Sequence, residues 1–122
     1  MKWISGIIWW IAVLTGCSQS IDFRLPENEV LAISITNGGV PVTECKIQPG
    51  SSIHSELSDW IERNTDNWKA SPASYVPGTV ISGEGFSINV LNDGLILNYS
   101  GHQYTHSIEP DEFRYLICDE SA

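Results

Sequence analysis

The chain of 122 residues is long enough for one compact domain and too short for two, with 42% hydrophobic residues and five Trp, four Tyr and three Phe to build a core. Six Lys and Arg against fifteen Asp and Glu give a formal charge of −9, and no five consecutive positions hold more than one basic residue, which excludes the clustered phosphate contacts of a nucleic-acid binder. The ten Gly and six Pro are spread along the chain as turns between short elements, not gathered in a low-complexity tract.

Met1-Lys2 is followed by an apolar run from Trp3 to Leu14 and then by Thr15-Gly16-Cys17. A charged start, a short apolar stretch and small residues before a cut are the three parts of a secretory signal. The run falls short of the about 20 residues that a transmembrane helix needs. Leu14-Thr15-Gly16-Cys17 resembles the lipobox of bacterial lipoproteins, in which an aliphatic residue and two small residues precede an invariant Cys. The resemblance implies that residues 1–16 are a lipoprotein signal peptide. It also implies that Cys17 becomes the lipid-carrying N-terminus, with a diacylglycerol on its thiol and an acyl group such as palmitate on its amine. Several acyl chains, at about 0.8 kcal/mol per buried methylene, hold a protein on a membrane. Ser18, in place of an Asp, implies the outer membrane, with the domain facing the periplasm. Loss of Lys2 with the signal takes the formal charge from −9 to −10.

Residues 17–28 read as the lipidated Cys and a polar tether, and 29–122 as a single small domain. Leu31, Ile33 and Ile35 alternate with Ala32, Ser34 and Thr36, the pattern of a half-buried strand. Asn37-Gly38-Gly39 supplies a hairpin turn, and Val40 to Ile47 returns as its partner, with Pro41 at an edge. After Pro49-Gly50 comes the strongest helix signal in the chain, about 52–65, with Ile53, Leu57, Trp60 and Ile61 on one face and His54 on the other. Residues 68–77 read as an ordered loop crossing back over the fold. Residues 78–82, 86–91, 95–100 and 103–108 are four short strands joined by turns, Asn92-Asp93-Gly94 and Ser100-Gly101-His102 among them. At the end, Glu109-Pro110-Asp111-Glu112 makes a good first helical turn, so a short C-terminal helix is expected, although Phe113, Tyr115 and Ile117 also alternate as in a strand. The expected fold is α+β: one amphipathic helix packed on a mostly antiparallel sheet of short strands.

With Cys17 lipidated, Cys45 and Cys118 remain as an even pair in an oxidising compartment, and a disulfide is expected between them. It would close a loop over nearly the whole domain and stabilise it by about 4 kcal/mol on the loop-entropy argument. No catalytic motif is present, and no cofactor or metal is expected. His102, Tyr104 and His106 would share one face of a strand. Alternate strand positions lie about 7 Å apart, which puts His102 and His106 about 13 Å apart, too far to share an ion. These residues, with Gln103, read instead as an exposed polar face that could meet a partner. Ser100-Gly101-His102-Gln103-Tyr104 resembles the Ser-Gly-Ala-Arg-Tyr loop of periplasmic lipoprotein inhibitors of C-type lysozyme, whose loop serine enters the lysozyme cleft. Here His102 and Gln103 replace Ala and Arg, and Ser107-Ile108-Glu109-Pro110 follows where that family has Trp-Lys-Gly.

The function expected from these readings is protein binding by a membrane-anchored, periplasm-facing acidic domain, as an inhibitor or immunity-type factor and not as an enzyme. The alternative is a structural or assembly lipoprotein of the cell envelope without inhibitory activity. Cells fed labelled palmitate should label the wild-type protein and leave Cys17→Ser unlabelled; label retained on the variant would contradict the lipobox reading.

Overall fold

The computed structural model describes residues 18–37 and 40–118, so the signal peptide and Cys17 lie outside the described residues. The elements are β1 (Leu31–Asn37), β2 (Val40–Ile47), α1 (Ser52–Arg63), β3 (Lys69–Ala70), β4 (Thr79–Gly83), β5 (Phe86–Val90), β6 (Gly94–Tyr99) and β7 (His102–Ser107). All the strands join one seven-stranded sheet in the order β2-β1-β4-β5-β6-β7-β3, with every neighbouring pair antiparallel.

Strand alternation divides the sheet into two chemically different faces. Cys45, Ile33, Ile81, Ile88, Leu97 and Tyr104 are paired from strand to strand and form one row. Ile33, Ile81, Ile88 and Leu97 in that row are almost fully buried. The neighbouring row of Lys46, Ala32, Ser82, Ser87, Asn98 and Gln103 lies on the opposite face. One apolar and one polar face is the usual solution for an antiparallel sheet.

The α+β expectation is corrected by this arrangement. The protein is chiefly an antiparallel sheet, and its one helix among the described residues has 12 residues. The reason lies in what covers the apolar face. Alongside α1, two segments without regular secondary structure supply buried side chains: Ile21, Phe23 and Leu25 before β1, and Ile108, Phe113 and Leu116 after β7. The tether reading of 18–28 is corrected on the same ground, because the alternation of Ile21, Phe23 and Leu25 with exposed Asp22 and Arg24 is that of chain lying on a core.

This N-terminal segment runs antiparallel to α1. The Ile21 amide donates to the Thr65 carbonyl (2.8 Å) just past one end of the helix, and the His54 Nε2–H donates to the Pro26 carbonyl (2.7 Å) near the other. His54 is therefore buried, not on the outer face of α1 as its position in the helical period implied. Ser51 caps the helix by accepting from the His54 amide (3.2 Å). Trp60 and Trp68 meet edge to face, centroids 6.1 Å apart, and both indole N–H groups are used: Trp60 on the Glu112 carboxylate and Trp68 on the Asn64 carbonyl.

The C-terminal segment forms successive turns with hydrogen bonds from residue i+3 to residue i, not a helix. Phe113 and Leu116 enter the core from those turns, and Cys118 is bonded to Cys45 on β2 with a Cα separation of 5.6 Å. This disulfide, which the composition predicted, ties the last described residue to the first edge of the sheet across 73 positions. It fixes the end of a segment that has no strand partner of its own.

The packing of Phe23 gives a direct test. Its ring lies 5.0 Å from Phe86 and 5.2 Å from Tyr99, centroid to centroid. Phe23→Ala should cost about 3–5 kcal/mol in urea unfolding, the usual range for a core aromatic; a loss under about 0.5 kcal/mol, as for a surface site, would restore the tether reading.

Candidate functional site

At one end of the sheet, Ser100 (φ 52°) and Gly101 (φ 76°) both occupy the left-handed region, as a tight two-residue hairpin between β6 and β7 demands. Gly adopts that backbone freely, whereas holding Ser100 there costs about 1 kcal/mol or more. The neighbouring turn, Glu84-Gly85 between β4 and β5, uses Gly85 in the same way (φ 83°). Between the two turns opens a shallow groove of about 480 Å³ lined by residues 85–87 and 98–103.

The four residues singled out in the sequence do not form one exposed face. His102, Tyr104 and His106 do lie on the same side of β7, as their spacing requires, but that side is the covered one. The His106 ring sits between Trp60 and Trp68, with centroids 5.3 and 4.9 Å away, and its Nδ1–H donates to the Ser107 carbonyl (2.7 Å). Tyr104 lies against Tyr99 (5.7 Å) and His102 (6.1 Å). Only His102, at the hairpin tip, is exposed. The expected exposed polar face is corrected accordingly, since Trp60 and Trp68 close over the His106 end.

Gln103 points to the other face, where it does a structural job. Its Nε2 group donates to the carbonyls of Ser71 (2.9 Å) and Ala73 (2.6 Å). Asn89, on the same face, donates to the Val76 carbonyl and accepts from the Gly78 amide. These amides strap the 71–77 loop across the polar face, on which Ile96 is also buried. Residues 71–77 thus cross the fold, as the sequence implied for 68–77, while Lys69–Ala70 of that span join the sheet as β3. The residues that hold the loop carry no local signal, because Asn89 and Gln103 are remote from it in sequence.

The charge is distributed unevenly. Strands β1, β4, β5, β6 and β7 contain no Asp, Glu, Lys or Arg, so the negative charge resides on α1, the loops, the edge strand β2 and the terminal segments. The residues that line the hairpin-end groove include no Asp, Glu, Lys or Arg, although Glu84 sits in one of the turns beside it. Among the described residues, no three His, Cys, Asp or Glu side chains are grouped so as to hold a metal ion.

No protein-family model, no curated protein and no solved structure matches the chain.

A second concavity lies between α1 and the C-terminal turns, lined by Glu56, Asp59, Trp60, Arg63, Glu112 and Tyr115. The Tyr115 hydroxyl is buried there without a hydrogen-bond partner. Burial, with Glu56 and Glu112 nearby, pushes its pKa far above the ordinary tyrosine value, and Arg63 pulls weakly the other way. The fold thus favours the protonated phenol: this contribution to stability is complete below the unfolded value of about 10 and is lost as pH rises above it. Tyr115→Phe removes an unpaired polar atom and should raise stability by about 1 kcal/mol near neutral pH, with a larger gain at about pH 11. Urea titrations at both pH values check this, and a loss of stability at either would contradict it.

Proposed function

We propose that the protein is a small membrane-anchored lipoprotein whose acidic, periplasm-facing domain binds another protein through the β6–β7 hairpin end, as an inhibitor or immunity-type factor. The observation that carries this reading is the display of Ser100 and His102 on a tight turn beside an uncharged groove, in a molecule of charge −9. The two features have complementary uses. An acidic domain steers a basic partner towards it, and an uncharged contact zone lets the partner seat without burying a carboxylate.

A basic cell-wall hydrolase or an incoming basic toxin is the partner class that fits this chemistry. The resemblance of residues 100–104 to the loop of lysozyme inhibitors favours the hydrolase. Gln103 is committed to the carbonyls of Ser71 and Ala73, so Ser100 and His102 are the side chains of the motif left free to engage a partner. A second reading, an assembly lipoprotein of the envelope, draws support from the edge of β2, which pairs with no strand besides β1 among the described residues and where Val40 and Val42 stand 64% and 63% exposed. An unpaired strand edge can add a strand from another chain.

The two are separated by placing a photo-crosslinking amino acid at position 102 or at position 42 of the full-length protein in cells. Crosslinks from position 102 to a basic soluble protein are expected. Crosslinks confined to position 42 and to envelope-assembly components would overturn the inhibitor reading in favour of the second. The hydrolase version also predicts that the 18–122 domain at micromolar concentration slows a C-type lysozyme, and an undiminished rate would exclude that version.

A further inference from the structure

We infer that the anchored domain rests directly on the bilayer, with the β3 edge of the sheet and the start of the N-terminal segment facing the phospholipid headgroups. This rests on the lipoprotein reading above and adds an orientation to it.

The inference starts from hydrogen bonds at the beginning of the described chain. Gln19 and Trp68 exchange both backbone hydrogen bonds (2.7 and 3.0 Å), the Ser20 hydroxyl donates to Asp66 (2.5 Å), and the Ile21 amide is held by Thr65. Trp68 itself is 1% exposed, so Gln19 is pinned to a rigid part of the core. Ser18 alone separates Gln19 from Cys17. Two residues of fully extended chain span at most about 7 Å, whereas an eleven-residue tether over 18–28 would span up to roughly 38 Å. A lipid on Cys17 therefore has no slack with which to hold the domain away from the surface.

The residues around this point suit headgroups. Gln19, Ser20, Asp66, Asn67 and Lys69 are all exposed and polar, and the single Asp and single Lys balance in charge, so an otherwise acidic protein presents a neutral patch at the anchor. Lys69 begins β3, the two-residue strand at the end of the sheet order opposite β2. β7 is the neighbour of β3, so the hairpin-end groove, which spans the ends of β5, β6 and β7, begins one strand in from the membrane-facing edge. A partner bound there is engaged close to the bilayer, while the β2 edge with its disulfide lies at the other end of the sheet.

The test uses the full-length lipidated protein in vesicles of phosphatidylcholine and phosphatidylglycerol, with a nitroxide on Lys69→Cys or Glu44→Cys. Both positions are exposed, so neither label disturbs the core. Nickel chelated to a lipid headgroup should relax the label at 69 several-fold more than the label at 44. Insertion of about twelve Gly and Ser residues after Ser18, a reach of roughly 40 Å, should abolish the difference. Equal relaxation at 69 and 44 without the insertion, or a difference that survives it, would overturn the inference. Mass spectrometry of the N-terminal peptide distinguishes the failures: an unacylated Cys17 removes the lipoprotein reading and this inference together, whereas an acylated Cys17 with equal relaxation removes this inference alone.

Discussion

A seven-stranded sheet with strands about 4.8 Å apart is roughly 29 Å across, and a single α-helix covers about 10 Å of that width. This mismatch governs the structure. The apolar row from Ile33 to Leu97 must be shielded from water along its whole length, and the 12 residues of α1 cannot do it. The chain resolves the shortage with its two ends. Ile21, Phe23 and Leu25 lie on a segment antiparallel to the helix, and Ile108, Phe113 and Leu116 join the same core from the chain after β7. Neither segment has a ladder of its own, so each is held by specific ties: Gln19 and Ile21 to the chain after α1, Glu112 to Trp60, and Cys118 to Cys45.

The same economy explains which parts of the fold were legible in the sequence. The hairpin from β1 to β2, the helix and the four strands from β4 to β7 follow from local periodicity and turn chemistry, and the structure places each within a residue or two of its expected limits, whereas Lys69–Ala70, read as part of a loop, form β3. The disulfide follows from the even pair of cysteines. What local patterns do not carry is the use of irregular chain as core. Ile21, Phe23 and Leu25 alternate as plainly as Leu31, Ile33 and Ile35, yet Ser18, Gln19, Ser20, Pro26, Glu27, Asn28 and Glu29 around them made the segment read as a polar tether. His54 misled for a related reason. Its side chain is buried because Pro26, 28 positions away, offers it a carbonyl.

The candidate site was only partly legible. The Ser100-Gly101 turn and the shared face of His102, Tyr104 and His106 follow from sequence spacing, but which face of β7 would be covered depends on Trp60 and Trp68. Gln103 likewise acquires its role from a loop some 30 positions earlier. The groove itself arises because two turns with left-handed residues, at Gly85 and at Ser100-Gly101, end at the same level of the sheet. Its lack of charge reflects the exclusion of every charged side chain from the five inner strands, which leaves the acidic residues free to act at a distance.

If the ends of the chain complete the cover of the sheet, the 18–28 segment must be as permanent a part of the fold as the helix beside it. Native-state amide hydrogen exchange reads this directly at Gln19 and Ile21, whose N–H groups are bonded to Trp68 and Thr65. Both amides should exchange on the slow timescale of the α1 interior. Exchange at the rate of an unstructured peptide while α1 stays protected would contradict the account.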